Sequence, residues 1–128
     1  MARIEKIAST APALTIPPLA EPLTPSDARV LVESFRAAYS ARNVDALGAL
    51  LAPDVVHNNA HGRTRVLGDY QTAFADIDSI EYRLPDVQVA LREQRTIVSS
   101  PFVITYQQRD GRRQQLPGAA EWRVERRD

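Results

Sequence analysis

The chain of 128 residues contains no cysteine, and this absence removes several classes of chemistry. Disulfide bonds, thiol nucleophiles and zinc–thiolate sites are excluded. Apolar runs are also short. None approaches the roughly 20 residues that cross a bilayer, and no uninterrupted apolar segment of signal-peptide length occurs near the N-terminus. We therefore predict a soluble protein with no membrane partner, cytoplasmic by default, or periplasmic if the domain belongs to a larger exported protein.

An excess of charge of either sign is also missing. The 16 basic and 16 acidic residues cancel, and Lys6 is the single lysine. Nucleic-acid-binding domains normally carry a basic surface, so we predict no nucleic-acid partner. Apolar residues make up 44% of the chain, which is enough for one domain with one core.

Proline is concentrated in one segment that divides the chain. Five of the nine prolines fall between residues 11 and 25. Because proline fixes φ and removes a backbone donor, this segment is typical of an extended linker. We predict that residues 1–25 form an N-terminal strand-like segment and this linker, and that residues 26–128 form the folded domain.

Three helices are predicted after the linker. The first begins at Thr24, a good N-cap residue, and its apolar residues recur at spacings of three and four. The second lies between residues 43 and 53, and the third follows Gly62. Between the last two helices the pattern changes to period two, which places Val55, His57 and Asn59 on one side of a strand.

The rest of the sequence predicts strands over residues 82–91, 96–107 and 114–126. Pro101 predicts a bulge or a sheet edge, and Asp110-Gly111 predicts a hairpin turn. The order of elements predicts an α+β fold, a cone-shaped roll of three N-terminal helices packed on a strongly bent antiparallel sheet. The mouth of such a cone is a natural ligand site.

This arrangement resembles the nuclear transport factor 2-like superfamily, also called SnoaL-like, over about residues 26–128. The likeness is carried by the segments NVDALGALLAPDV and GRTRVLGDYQTAF, the DG hairpin and a late W-x-V. The superfamily includes ketosteroid isomerases, polyketide cyclases, dehydratases, epoxide hydrolases and members without catalysis. The resemblance therefore implies the fold but not the activity.

The resemblance also implies where catalytic residues would lie. Ketosteroid isomerases keep a Tyr on the first helix, an Asp base on the first strand and a second Asp late in the sheet. Alignment on the shared segments puts Phe35, Asn59 and Ala120 at these positions. None of these side chains can take the role, so we predict that the protein is not a ketosteroid isomerase. A shift of two residues would offer His57, the one usable base.

Two functions follow from these observations. We predict a non-catalytic domain that serves small apolar ligand binding, dimerisation or both, within a larger or tandem protein. The alternative is a cofactor-free lyase, isomerase or cyclase with His57 as general base, assisted by Asn59, Tyr39 or Tyr106. A cavity filled by aromatic side chains would argue against the enzyme.

Ten residues are predicted to line the cavity: Phe35, Tyr39, Val55, His57, Asn59, Phe74, Phe102, Tyr106, Ala120 and Trp122. No cofactor is predicted. No metal site is predicted either, because His57 and His61 are four residues apart but not on a helix, and no carboxylate cluster accompanies them. By resemblance, the outer face of the sheet is expected to form a homodimer.

The last strand of the superfamily, commonly DG-x-W-R-I, is missing after Arg126. The segment ARIEKI at residues 2–7 resembles it. We predict that Arg3–Ile7 pairs beside Trp122–Arg127, either within the chain or from a neighbouring copy, which closes an otherwise open sheet edge.

Overall fold

The computed structural model describes residues 2–9, 23–93 and 95–126, and within them three helices pack against a bent, mixed sheet of seven strands. The helices are α1 (Pro25–Ser40), α2 (Val44–Leu50) and α3 (Arg63–Phe74). The strands are β1 (Ala2–Ser9), β2 (Leu51–His57), β3 (Ala60–His61), β4 (Ile77–Arg83), β5 (Gln88–Arg92), β6 (Arg95–Gln108) and β7 (Arg113–Arg126). The predicted α+β class is confirmed.

The helices begin where side chains can cap them. Thr24 Oγ1 accepts a hydrogen bond from the backbone N–H of Asp27, at 3.2 Å, and Asn43 Oδ1 accepts one from Ala46, at 3.0 Å. Each bond satisfies a donor that has no partner inside the helix. The buried stripe of α1 is the predicted one and includes Phe35, which lies in the centre of the core.

The sheet has the order β3-β2-β1-β7-β6-β4, and β5 also pairs with β6. β1 lies antiparallel to β7, with Ile4 opposite Val124 and Ile7 opposite Trp122. The pairing predicted for the N-terminal segment therefore occurs within the chain. β1 also runs parallel to β2, so the sheet is mixed, whereas the sequence predicted an antiparallel one.

A bulge in β1 decides which of its side chains face the helices. The register against β7 shifts between Ile4 and Lys6, so two residues of β1 lie opposite a single residue of β7. As a result Ile4 and Ile7, three residues apart, both enter the core, at 0% and 2% exposure. We call the face of the sheet that carries Trp122 the helical side, and the face that carries Arg123 the outer side.

The prediction of a single strand over residues 82–91 is wrong, because this range includes parts of two strands. β4 ends at Arg83 and β5 begins at Gln88, and both pair with β6. Pro101 of β6 falls in the gap between these partners. The missing N–H of proline is tolerated there because no strand pairs on that side. Pro101 thus lies at a local edge, and the register of β6 against β7 continues through it without a shift.

Two further predictions concern the ends of the domain. Of the linker predicted over residues 11–25, residues 11–22 lie outside the described residues, whereas Thr24 caps α1 and Pro25 begins it. The division of the chain at residue 26 stays a prediction. None of the helices in the described ranges is long and apolar enough to cross a membrane.

Candidate functional site

A pocket of about 380 Å³ lies between the C-terminal part of α1, the β2–β3 turn and α3. It combines aromatic rings with polar groups and is open to solvent on one side. Its lining residues are Tyr39, His57, Asn58, Asn59, Ala60, Arg65, Val66, Asp69 and Tyr70.

The backbone around His57 fixes the polar part of this pocket. His57 ends β2 and pairs with Ala60 across a two-residue turn, in which Asn58 has a φ of 53°. Asparagine tolerates this left-handed conformation better than most residues. β1 holds the turn from the other side. Ile7 pairs with His57, and the N–H of Asn58 donates to the carbonyl of Ile7 at 3.1 Å.

The His57 ring is bonded to α3. Nδ1 of His57 lies 2.8 Å from the hydroxyl oxygen of Tyr70, and the two rings meet edge to face with centroids 5.5 Å apart. Burial lowers the pKa of His57, and the carboxylate of Asp69 opposes this only in part. Burial also raises the pKa of Tyr70 well above its usual value. Both groups are therefore neutral at neutral pH.

One ion pair lies at the rim of the pocket. Arg65 and Asp69 are one helical turn apart on α3, and Arg65 Nε lies 3.7 Å from Asp69 Oδ1. Both side chains are more than half exposed, so the pair contributes little to stability. The guanidinium group of Arg65 remains accessible to a ligand.

The centre of the fold beside the pocket is filled by an aromatic cluster. Phe35 is 1% exposed and lies 6.0–6.4 Å from the rings of Tyr39, Tyr70, Tyr82 and Trp122. Such edge-to-face and tilted contacts are favourable geometries for aromatic pairs. The His57 pocket therefore lies beside this cluster, and Phe35 is not one of its lining residues.

The structure distributes the ten predicted lining residues between pocket and core. Tyr39, His57 and Asn59 meet at the pocket. Tyr106 is half-buried on β6, opposite Ile80. The remaining six are buried in the core: Phe35, Val55, Phe74, Phe102, Ala120 and Trp122.

Six lining residues were not predicted as site residues: Asn58, Ala60, Arg65, Val66, Asp69 and Tyr70. Tyr70 belongs to the buried stripe of α3 between Val66 and Phe74. A phenol in such a stripe needs a partner for its hydroxyl group, and that need was the available signal. Arg65 and Asp69 carried the signal of an i, i+4 ion pair.

A second cavity of about 570 Å³ lies where α1 meets the end of β4. Arg36 lines this cavity. Its guanidinium group already donates hydrogen bonds to both carboxylate oxygens of Glu33 and to the carbonyl of Tyr82. No group of three or more metal-ligating side chains occurs in the described ranges. The His57 pocket is therefore the candidate site.

Comparison with known proteins places this fold in a family. Residues 32–128 match the SnoaL-like domain family, whereas no curated protein matches the chain. A structure from Novosphingobium aromaticivorans, proposed to be an aromatic ring hydroxylase, is similar with a TM-score of 0.74 and 16% identity, over 83% of each chain. A proposed dehydratase of the nuclear transport factor 2-like family from Streptomyces avermitilis gives 0.62 and 22%, over 77% of this chain and 84% of that one.

A third structure, from Catenulispora acidiphila, has a ketosteroid isomerase-like fold and is in complex with trimethylamine. Its TM-score is 0.59 at 22% identity, over 76% of this chain and 74% of that one. At such identities the structural likeness shows the fold alone. The family match covers most of the chain, and the chain therefore belongs to the SnoaL-like domain family.

Proposed function

We propose that this protein is a non-catalytic SnoaL-like domain that binds a small, largely apolar ligand, as part of a larger or tandem protein. The observation that carries the proposal is the pocket of about 380 Å³, lined by the rings of Tyr39 and Tyr70 and by the polar groups of His57 and Asn59. This volume and this mixture of apolar and polar groups are typical of small-molecule sites.

The residues at the isomerase positions support a role without catalysis. Phe35 is enclosed by four aromatic rings, and Ala120 is buried on β7. Asn59 lies in the turn after β2 and has a neutral amide. None of the three can transfer a proton at neutral pH, and ligand binding does not require that they do.

A ligand-observed NMR screen with steroid-like and polyketide-like compounds tests this proposal. The screen is repeated on His57→Ala and on His61→Ala, which removes an exposed histidine from the neighbouring strand. We expect hits to lose about tenfold in affinity in His57→Ala, the scale of one hydrogen bond, and to be unchanged in His61→Ala. Equal affinity in the wild type and His57→Ala would place binding elsewhere and contradict the proposal.

The alternative function is a cofactor-free lyase, isomerase or cyclase with His57 as general base. One observation favours it: burial lowers the pKa of His57, so the ring is unprotonated at neutral pH while it lines an open pocket. The structural neighbours include proteins proposed to be a dehydratase and a polyketide cyclase. A base in this place would abstract a proton next to a substrate carbonyl.

Hydrogen–deuterium exchange at carbon tests the alternative directly. Ketones with acidic C–H groups are incubated with the protein in D₂O and followed by NMR. A catalyst would accelerate exchange by at least about a hundredfold and would lose this effect in His57→Ala but not in His61→Ala. Exchange at the uncatalysed rate with every ketone rules out His57 as a base for this class of substrate.

A homodimer through the outer side of the sheet is the second part of the proposal. Small apolar residues lie there on β6 and β7, where Pro101 pairs with Ala119 and Val103 pairs with Pro117. Three of these four are exposed and Val103 is half-buried. An exposed apolar patch of this kind marks an interaction surface, and a second copy would cover it symmetrically.

Light scattering on a sizing column measures this association. Ala119→Glu would place a carboxylate at the centre of the patch, and we expect it to convert a dimer to a monomer. Ala37→Glu, at an exposed position on α1, carries the same change and should leave the dimer intact. A wild-type monomer would contradict the dimer but not ligand binding. The predicted location, and the predicted lack of a cofactor and of a nucleic-acid partner, stay predictions.

A further inference from the structure

The hydrogen bond between Tyr70 and His57 has a direction that determines what the pocket presents to a ligand. Tyr70 is 5% exposed, and its hydroxyl oxygen lies 2.8 Å from Nδ1 of His57. A neutral imidazole carries one N–H, and either nitrogen can hold it. The hydrogen bond at Nδ1 therefore determines whether Nε2 is a donor or an acceptor.

The burial of Tyr70 argues that its phenol is the donor. Within the described residues, Nδ1 of His57 is the one hydrogen-bond partner of this hydroxyl group. If Nδ1 held a proton and donated it, the hydroxyl hydrogen of Tyr70 would lie against the pocket without a protein acceptor. Buried polar hydrogens are rarely left in that condition. When Tyr70 donates instead, both groups are satisfied and the imidazole proton moves to Nε2.

Nε2 is the ring nitrogen left to meet a ligand. It has no partner in the described part of the chain, and it is not among the fully buried atoms without a hydrogen bond. His57 also lines the pocket. An N–H at Nε2 is therefore available to an incoming acceptor, and the accessible guanidinium of Arg65 adds further donors at the rim.

We propose that Tyr70 fixes His57 as the Nε2–H tautomer, and that the pocket consequently selects small aromatic or apolar ligands that carry a hydrogen-bond acceptor, such as a ketone. This inference rests on the proposed function for its ligand, but not for its tautomer. Tyr70 acts through His57 and is a positioning residue. A general base at this site would need Nε2 without its proton, so the same bond favours binding over proton abstraction.

Long-range ¹H–¹⁵N correlation NMR of the full chain reads the tautomer without any ligand. We expect a pyridine-type (unprotonated) Nδ1 signal and a pyrrole-type (protonated) Nε2 signal for His57. Exposed His61 serves in the same spectrum as the reference for a histidine ring at the surface. In Tyr70→Phe, which keeps the ring and removes the hydroxyl group, the preference for this tautomer should weaken. A protonated Nδ1 in the wild type would overturn the inference, whatever the variant does.

Ligand selection is measured with a panel of aryl methyl ketones, from phenyl to naphthyl, and the isopropenyl analogue of each. The members of each pair have nearly the same shape, and they differ in a carbonyl oxygen against a methylene group. We expect the ketones to bind about tenfold more tightly, with this ratio reduced in Tyr70→Phe. Equal binding of both members overturns acceptor selection and leaves the binding function intact. If no compound binds, the result contradicts both the binding function and acceptor selection. The tautomer is decided separately, by the NMR experiment.

Discussion

The two sides of β7 are equally buried but hold together by different means. Trp122 and Val124 face the helical side at 0% and 1% exposure, and Arg123 and Glu125 face the outer side at 4% and 5%. On the helical side Trp122 meets Phe35 edge to face, with centroids 6.0 Å apart. Stability there depends on shape and apolar burial.

On the outer side the same strand belongs to a buried charge cluster of Glu5, Lys6, Arg95, Arg123 and Glu125. Glu5 lies 3.8 Å from Arg123, and the ammonium nitrogen of Lys6 is buried without a hydrogen bond in the described residues. Burial of such groups opposes folding unless they are fully paired.

The comparison shows that one side of the sheet is sensitive to the shape of its side chains and the other to pH. The helical side cannot change shape without a loss of stability, while the outer side changes stability with protonation. β1 connects the two, because its bulge sends Ile4 and Ile7 to one side and Glu5 and Lys6 to the other. The same strand supports His57 through Ile7.

Deletion of residues 1–9 should reduce the free energy of unfolding more than any other change, because it removes buried residues from both sides of the sheet at once. The loss of Ile4 and Ile7 from the core alone is worth about 3–6 kcal/mol. β2 and β7 also lose the strand between them. We expect a large drop in the free energy of unfolding measured by urea titration, and loss of the His57–Tyr70 bond. Val30→Ala, at an exposed position on α1, is the control. Unchanged stability of the deletion variant would show that β1 is not part of the folded sheet.

Phe35→Ala should be the most damaging single change on the helical side. It leaves a cavity among four aromatic rings, and such truncations destabilise proteins by about 3–5 kcal/mol. Phe35→Leu keeps most of the volume and should cost clearly less. Urea denaturation of both variants gives the comparison. Similar stabilities for alanine and leucine would mean that the cluster is loosely packed.

Gly118→Ala tests the same side with a single methyl group. Gly118 lies opposite Phe102 in the sheet, and an added Cβ would come within 2.4 Å of the Phe102 ring. Overpacking of this kind costs about 1–3 kcal/mol. The matched change Gly68→Ala, on α3 with no atom within 4 Å of the added Cβ, should stabilise by up to about 1 kcal/mol. If both changes behave alike, the close approach at Gly118 is relieved by movement of the Phe102 ring.

The features that could be predicted from the sequence are those that local periodicity and capping determine. The caps at Thr24 and Asn43, the stripe of α1 and the position of His57 on a strand all follow from spacing in the chain. The place of β1 beside β7 followed from its likeness to a missing strand. The bulge between Ile4 and Lys6 could not be predicted, because it depends on which residues of β7 stand opposite.

The rest of the site depends on how distant elements are oriented. The split between β4 and β5 is set by their common partner β6, which lies later in the chain. The bond from Tyr70 to His57 joins a helix to the end of a strand 13 residues earlier. The apolar periodicity of α3 indicates that Tyr70 faces inward, but not which residue its hydroxyl group meets.

Glu5→Gln should change stability no more than Gly118→Ala does, and only at the upper end of the pH range, so its dependence on pH separates the two sides most clearly. Burial first, and then the charge of Glu125, raise the pKa of Glu5 from 4.5 to about 7 in the folded protein. The folded state therefore holds a proton that the unfolded state has released between pH 4.5 and about 7. By linkage, stability falls as the pH rises through this range, and the full loss is present above it.

Glutamine imitates the protonated carboxyl group and cannot ionise, so Glu5→Gln should remove this loss. We expect the variant to equal the wild type near pH 4.5 and to be more stable by roughly 1–3 kcal/mol near pH 8, measured by urea denaturation across the range. Glu93→Gln makes the same change at an exposed position and should show no comparable gain. A wild type whose stability rises between pH 4.5 and about 7, together with no gain in Glu5→Gln, would mean that Arg123 holds Glu5 ionised, and that the outer side is a paired cluster rather than a protonated one.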